Sequence, residues 1–358
     1  MESKARMEGR SLKVPSVQEL LQKEKLRSVP SRYVRPELTA FSNVPSSSQI
    51  PVIDMLNLLD VDSDSMESEL RKLHEACQEW GFFQLINHGV EAEAEKMIKF
   101  EVQEFFNLPM EEKEKFRQQE DDVEGYGQVF VVSEEQKLDW GDMFFVTTFP
   151  TYLRKPHLIP NLSAPFRDAI DAYGAEVKTL AMKILGFMEK ALGMKSEEME
   201  RVVFGEGMQT MRMNYYPPCP QPELVTGLSP HSDGVGLTIL LQANEIEGLQ
   251  VKKAGAWIPV SPLPNAFVVN IGDILEIASN GVYRSVEHRA TVNSEKERLS
   301  IATFLNPAID NDIGPAPSLV SLQTPAKFKT ISAVEYLKGL FSKELKGKSY
   351  VDLLRIPN

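Results

Sequence analysis

Three side chains stand out as candidates for metal chemistry in a chain of 358 residues that has only five histidines. His231 and Asp233 lie two positions apart, a spacing that turns both side chains to the same face of an extended segment. His288 follows in a later segment. Two neutral imidazoles and one carboxylate bind non-haem Fe(II) and leave coordination positions open, although zinc hydrolases use the same ligand types. These residues predict a metal site, provided that the fold brings the two segments together.

A cation is predicted close to this site. Strand alternation over residues 298–304 places Arg298, Ser300 and Phe304 on one face. An arginine on an interior strand face is unfavourable unless it meets an anion, and its planar fork suits a carboxylate held by two hydrogen bonds. The pattern indicates a carboxylate ligand. An ion pair between Arg298 and a glutamate of the protein is the alternative.

An upstream strand repeats this pattern of polar side chains. Arg212, Asn214 and Tyr216 share one face by the same alternation, and the prolines that follow end the strand. Hydrogen-bonding groups of two strands are therefore expected to converge on one side of a sheet. Tyr216 also fits the alternative of a half-buried structural residue with a satisfied hydroxyl group.

The elements that position these residues change in character along the chain. Helical periodicity predicts helices at 17–25, within 62–110 and over 164–203, with a strand at 82–86 and a last helix at 333–341. Short apolar runs separated by turn residues predict strands at 211–216, 237–242, 267–271 and 298–304. Polar residues 1–49 read as an arm with a flexible connection at 45–48. We expect an α+β fold with an antiparallel β core flanked by helices.

Composition and charge exclude several classes of function. Lys and Arg number 39 against 51 Asp and Glu, and the formal charge of −12 disfavours general affinity for nucleic acid or an anionic membrane. No apolar run reaches the length of a membrane span, and the polar start does not resemble a signal peptide. Two cysteines, Cys77 and Cys219, are too few for a disulfide framework. We expect a cytoplasmic, soluble protein.

Four motifs in order carry a specific resemblance. They are the run NYYPPCP at 214–220, His231-Ser232-Asp233, His288, and Arg298-Leu299-Ser300. The chain resembles the plant Fe(II)- and 2-oxoglutarate-dependent dioxygenases. Within them it is similar to the branch of senescence-related-gene-like proteins and benzylisoquinoline alkaloid O-demethylases, notably through the runs DVEGYGQ at 122–128 and QKLDW at 136–140.

The resemblance implies a distorted double-stranded β-helix, or jelly roll. The expected division is an arm at 1–49, a helical region with some core strands at 50–205, the jelly-roll core at 206–310 and a C-terminal helical segment at 311–358. The implied co-substrates and cofactors are Fe(II), 2-oxoglutarate, O₂ and ascorbate as reductant. By the same resemblance, His231, Asp233 and His288 are the iron ligands, Arg298 and Ser300 clamp the distal carboxylate of 2-oxoglutarate, and Asn214 and Tyr216 support it.

In this family, O₂ converts 2-oxoglutarate to succinate and CO₂ while a substrate C–H bond is hydroxylated. Attack on a methoxy carbon gives a hemiacetal that collapses to a phenol and formaldehyde. By analogy with flavonoid-type relatives, Met143, Phe145 and Phe304 line the substrate pocket, although Met143 and Phe145 equally fit ordinary core positions. The expected substrate is a small aromatic molecule: an alkaloid, a flavonoid or another phenolic. The protein is expected to be a monomer. The alternatives are an iron oxidase that does not use 2-oxoglutarate and a catalytically silent binding protein.

Overall fold

The computed structural model describes residues 11–24, 26–36, 49–61, 64–120, 122–348 and 350–357. The strands are β1 (Val52–Asp54), β2 (Phe82–Ile86), β3 (Gly125–Gly127), β4 (Asp142–Phe149), β5 (Met208–Tyr216), β6 (Leu228–His231), β7 (Leu237–Gln242), β8 (Leu249–Lys253), β9 (Ala256–Pro259), β10 (Phe267–Ile271), β11 (His288–Ala290), β12 (Arg298–Asn306), β13 (Asp312–Ile313) and β14 (Ile331–Ser332). The helices are α1 (Val17–Glu24), α2 (Met55–Leu59), α3 (Asp64–Glu79), α4 (Ala92–Asn107), α5 (Met110–Glu114), α6 (Ala164–Leu192), α7 (Asp273–Ala278) and α8 (Ala333–Phe341).

Two sheets form the core of the fold. The larger has eight strands in the order β1-β2-β10-β7-β12-β5-β4-β3, and the smaller has four in the order β6-β11-β8-β9. All pairs in both sheets are antiparallel except β1 with β2. Residues of both sheets line a common cavity, as in a jelly roll. The predicted α+β jelly roll with flanking helices is confirmed.

The outer face of the larger sheet is covered by helices. Leu299 and Ile301 of β12 are buried in one apolar cluster with Tyr173 and Ile184 of α6 and Ile98 of α4. Burying a large apolar side chain stabilises a fold by about 1.5–3 kcal/mol. The helices therefore stabilise the outer face of the sheet. The polar residues at the alternating positions of the same strands lie on the opposite face.

Helix lengths differ from the prediction at one position. The helix predicted over 164–203 ends at Leu192, and a separate π-helical turn follows at Met199–Phe204. Gly193 ends α6 in the left-handed conformation with φ of +66°, a conformation that glycine adopts without strain. The stretch 62–110 holds α3 and α4 with β2 between them, as predicted. Lys25 and the connection at 45–48 lie outside the described residues.

The N-terminal helix is anchored to the strand that leads into the predicted substrate wall. The carboxylate of Asp142, the first residue of β4, accepts hydrogen bonds from Ser16 Oγ at 2.8 Å and from the backbone N–H groups of Val17 and Gln18. Burial raises the pKa of this carboxyl, and those three hydrogen bonds oppose the shift.

Among the described helices, none has the length and apolar character needed to cross a membrane.

Candidate active site

Pairing of two short strands brings the predicted histidines together. His231 ends β6 and His288 begins β11, and the two residues are direct partners in the antiparallel pair of these strands. Their ring centroids lie 4.3 Å apart, and both side chains are buried. The ring of His288 also makes an edge contact with Phe82 of β2 at a centroid distance of 5.2 Å. The smaller sheet therefore joins the two sequence segments, as the prediction required.

Backbone carbonyl groups orient both imidazoles. His231 Nδ1 lies 2.7 Å from the carbonyl oxygen of Ser229, and His288 Nδ1 lies 3.2 Å from that of Val286. A proton on each Nδ1 that donates to these carbonyls leaves each Nε2 with a free lone pair. Burial and the neighbouring His231 lower the pKa of His288 to about 4, so His288 is neutral at physiological pH. A neutral imidazole is the form that binds metal ions.

Asp233 completes the cluster from the loop after β6. Its Oδ1 lies 3.4 Å from His231 Nε2 and 3.6 Å from His288 Nε2. Burial raises the pKa of this carboxyl, but the interactions with His288 and His231, together with the hydrogen bond that Asn270 donates, outweigh burial and hold the pKa well below its ordinary range. The intervening Ser232 turns away and donates to Asp273 Oδ2 at 3.1 Å. Asp233 is therefore a carboxylate at neutral pH.

The donor set of the three residues fits a divalent metal ion. One ligand atom from each of His231, Asp233 and His288 lies within 4.8 Å of the others. Two imidazole nitrogens and one carboxylate oxygen on one side of a cavity are the ligand types of non-haem Fe(II) sites with open positions.

Arg298 lies in the same cavity without an acidic partner. Its Nη2 donates to Gln242 Oε1 at 2.9 Å, and its Cζ lies 5.4 Å from the centre of the Tyr216 ring. Its buried Nε has no hydrogen-bond partner among the residues that the structure describes. In the described part of the chain no acidic side chain pairs with it, so the alternative of an Arg–Glu ion pair is not observed. Burial lowers the pKa of the guanidinium, but an arginine stays protonated in proteins. A buried guanidinium without an acidic partner is suited to an anionic ligand.

The other predicted polar residues lie beside this arginine. Asn214 of β5 and Ser300 of β12 are direct cross-strand partners, and Asn214 Nδ2 donates to Ser300 Oγ at 3.4 Å. The buried Asn214 Oδ1 has no hydrogen-bond partner among the described residues. Tyr216 is paired in register with Arg298, and all four residues line the cavity that contains the His231–Asp233–His288 cluster. Unsatisfied buried polar atoms on one wall indicate a site for a polar ligand.

A second, apolar cavity adjoins the cluster. We call the first cavity, which Arg298 and Ser300 line, the polar cavity. The two cavities share His231, Asp233, Arg212 and Phe304. In the second cavity, the apolar part of the remaining wall comes mainly from β4, from the loop after β3 and from the C-terminal segment: Phe145, Val129, Phe130, Leu337, Leu340, Phe341 and Leu345. Phe145 and Phe304 contact each other edge to face at 6.4 Å, while Met143 is buried in the same apolar cluster but lies outside the lining of both cavities.

Sequence reasoning did not assign a role to three residues of the site. Arg212 lines both cavities, its buried Nε has no partner, and none of the described acidic residues forms an ion pair with it. Thr238 and Asn270 both donate to Asp233. The available signal for Asn270 is a polar residue within the apolar run of β10. Thr238 gives no such signal, because threonine is ordinary in strands.

A jelly roll that gathers two histidines and an aspartate at one cavity defines a non-haem metal-dependent enzyme. Two family models match the chain: the 2OG-Fe(II) oxygenase superfamily at residues 207–307, and the N-terminal region of non-haem dioxygenases in morphine synthesis at residues 50–163. The chain belongs to the 2OG-Fe(II) oxygenase superfamily. It is a 2-oxoglutarate-dependent dioxygenase that uses Fe(II) and 2-oxoglutarate.

Individual relatives resemble the chain over nearly its whole length. The oxoglutarate-dependent flavonoid 7-O-demethylase 1 of Ocimum basilicum is 67% identical over 98% of this chain and 93% of its own. The codeine O-demethylase of Papaver somniferum is 51% identical over 97% and 98%. The crystal structure of JOX2 in complex with 2OG, Fe and JA superposes with a TM-score of 0.86 at 38% identity, covering 96% of this chain and 98% of that one. The predicted resemblance to plant dioxygenases and O-demethylases is confirmed.

Proposed function

We propose that this dioxygenase removes the methyl group from a methoxylated phenol of the flavonoid class. The observation that carries the proposal is the apolar, aromatic-walled cavity beside the His231–Asp233–His288 cluster, into which Arg212 brings a positive charge. Phe145 and Phe304 supply flat apolar walls that suit an aromatic ring system. The flavonoid demethylase named above, at 67% identity, supports the same substrate class.

Charge favours a flavonoid over an alkaloid. A protonated alkaloid amine would meet the guanidinium of Arg212, and like charges at close range in a poorly hydrated cavity repel strongly. An acidic phenolic hydroxyl would instead gain a charge-assisted hydrogen bond. The relative that acts on codeine is also the less similar of the two demethylases, at 51% identity.

The proposed roles follow the chemistry of each group. His231, Asp233 and His288 hold the iron. Arg298 and Ser300 bind the distal carboxylate of 2-oxoglutarate, with Asn214 and Tyr216 in support. Phe145 and Phe304 contribute to the substrate wall, and Met143 packs in the apolar cluster behind them. We also propose a monomeric, cytoplasmic enzyme that uses ascorbate as reductant, with the division at residues 49, 205 and 310 stated above.

Iron with bound 2-oxoglutarate and O₂ supplies the oxidation of one substrate C–H bond, and 2-oxoglutarate leaves as succinate and CO₂. The protein decides which C–H bond is presented, because its walls orient the substrate and exclude water. On a methoxy carbon, the added oxygen gives a hydroxymethyl ether. This hydroxymethyl ether breaks down to the free phenol and formaldehyde. The methyl carbon therefore leaves as formaldehyde.

Turnover of matched methoxylated flavones and methoxylated benzylisoquinolines tests the proposal. The purified enzyme with Fe(II), ascorbate and 2-oxoglutarate is expected to release formaldehyde and succinate in equal amounts from a flavone. Hydroxylated product without formaldehyde would identify a hydroxylase instead. Product without succinate would favour the iron oxidase, and metal binding without any turnover would favour the silent binding protein.

Arg212→Leu is expected to weaken binding of a flavone with a free acidic hydroxyl. A hydrogen bond to a charged group contributes about 1.5–3 kcal/mol, which corresponds to a rise in KM of roughly 10–150-fold. The matched control substrate has the same hydroxyl methylated, and its KM should change little. Arg212→Lys should restore part of the preference. An equal loss for both substrates, or a parallel loss of 2-oxoglutarate affinity, would contradict this role.

A further inference from the structure

The two oxygens of the Asp233 carboxylate have different surroundings. Oδ2 accepts a hydrogen bond from Thr238 Oγ1 at 2.6 Å and another from Asn270 Nδ2 at 2.7 Å. Oδ1 lies opposite the Nε2 atoms of His231 and His288, at 3.4 and 3.6 Å. A carboxylate oxygen has about two lone-pair sites, so both sites of Oδ2 are occupied and only Oδ1 is free toward the cluster.

Strand register places the two donors. Thr238 of β7 and Asn270 of β10 are direct partners in the antiparallel pair of these strands. Both are 3% exposed, and both line the polar cavity on the inner face of the larger sheet. Side chains of directly opposed residues lie about 4.5–5.5 Å apart at Cβ, which suits two donors that converge on one acceptor.

The loop that carries Asp233 is held through its backbone to the segment that follows β10. Gly272, the residue after β10, lies very close to this loop. A Cβ at this position would lie 2.0 Å from the carbonyl oxygen of Val235. The backbone N–H of Asp273 donates to the carbonyl oxygen of Asp233 at 2.7 Å. These contacts fix both the main chain and the carboxylate of Asp233. A rotation of the carboxylate that exchanged Oδ1 and Oδ2 would break the hydrogen bonds from Thr238 and Asn270.

We propose that Thr238 and Asn270 are positioning residues that restrict Asp233 to metal binding through a single oxygen. A carboxylate can bind a metal through one oxygen or two, and the second oxygen takes a position that a co-substrate would otherwise use. The pair therefore keeps coordination positions open for 2-oxoglutarate and O₂. This inference rests on the proposed metal site, and it concerns the number of Asp233 oxygens that reach the metal rather than the presence of the metal.

The test uses Mn(II) as a redox-inert substitute for Fe(II). Wild type, Thr238→Val, Asn270→Leu and the double variant are crystallised with Mn(II), and 2-oxoglutarate is titrated calorimetrically into the Mn(II) forms. One Asp233 oxygen is expected on Mn(II) in the wild type and two in the double variant. Loss of such partners typically lowers metal affinity or activity by roughly 10–100-fold, so the titrations are made at saturating Mn(II). Because a second Asp233 oxygen would occupy a position that 2-oxoglutarate needs, we expect 2-oxoglutarate affinity to fall at least about tenfold in the double variant. The single variants should show smaller losses.

Thr303→Val is the matched control, because Thr303 lies on the same sheet with its side chain at an outward-facing position of β12. It should leave both measurements unchanged. Single-oxygen binding in the double variant, unchanged 2-oxoglutarate affinity, or complete loss of Mn(II) binding from a folded variant would each overturn the proposal. If the double variant does not fold, the same two measurements on the single variants test the proposal. A wild type that binds neither Mn(II) nor 2-oxoglutarate would instead reject the proposed function.

Discussion

Asp233→Ala is expected to lose turnover with every substrate, because the carboxylate is the only anionic ligand among the three residues of the cluster. Removing a group that merely supports a ligand already lowers metal affinity by roughly 10–100-fold, so removal of the ligand itself should lower Fe(II) affinity by more than about 100-fold. Anaerobic titration of Fe(II), followed through the visible absorption of its 2-oxoglutarate complex, measures this loss. Succinate and formaldehyde assays measure the loss of turnover.

A second buried aspartate supplies the control. Asp122 has the same 8% exposure as Asp233 and is paired with Lys155, away from both cavities. Asp122→Ala should lower stability without a change in Fe(II) affinity. Asp233→Ala leaves the donors Thr238 and Asn270 unsatisfied, at about 1–3 kcal/mol each, so its melting temperature must be measured alongside. A folded Asp233→Ala protein with wild-type Fe(II) affinity would exclude the cluster as the iron site.

Local patterns in the sequence predicted part of this site. The two-residue spacing of His231 and Asp233 is visible without a fold, and alternation correctly placed Arg298 and Ser300 on one face of β12. The partnership of His288 with His231 depends on which strands pair and in which register, and periodicity does not contain this information. The order of motifs shared with a known family supplied it instead.

Tertiary packing decides what the sequence did not predict. The helix at Ala333–Phe341 was expected at its observed bounds, since its apolar spacing is local. That Leu337 and Leu340 close the apolar cavity depends on where the helix docks. The same holds for Thr238, whose contact with Asp233 arises from the pairing of β7 with β10. A polar residue in a buried strand, such as Asn270, is the kind of signal that points to such contacts.

Arg298→Leu is expected to abolish tight binding of 2-oxoglutarate while Fe(II) or Mn(II) still binds. The guanidinium is buried, its Nε has no partner among the described residues, and the side chains that it contacts are the neutral amide of Gln242 and the phenol of Tyr216. Two charge-assisted hydrogen bonds to a carboxylate at about 1.5–3 kcal/mol each correspond to at least about 100-fold in affinity. Arg298→Lys keeps the charge but not the planar fork, so an intermediate loss is expected.

Pyruvate distinguishes the loss of a specific contact from general damage, because it has the 2-oxo acid group of 2-oxoglutarate without the distal carboxylate. Calorimetric titration of the Mn(II) forms should show that the wild type prefers 2-oxoglutarate strongly and that Arg298→Leu binds the two acids almost equally. The preference reports the contact between Arg298 and the distal carboxylate even if the variant is less stable, because both acids meet the same protein. If Arg298→Leu retained the wild-type preference, the distal carboxylate would have to lie elsewhere. Arg212, which lines the same polar cavity and whose buried Nε has no partner in the described part of the chain, would then be the group to test for that contact.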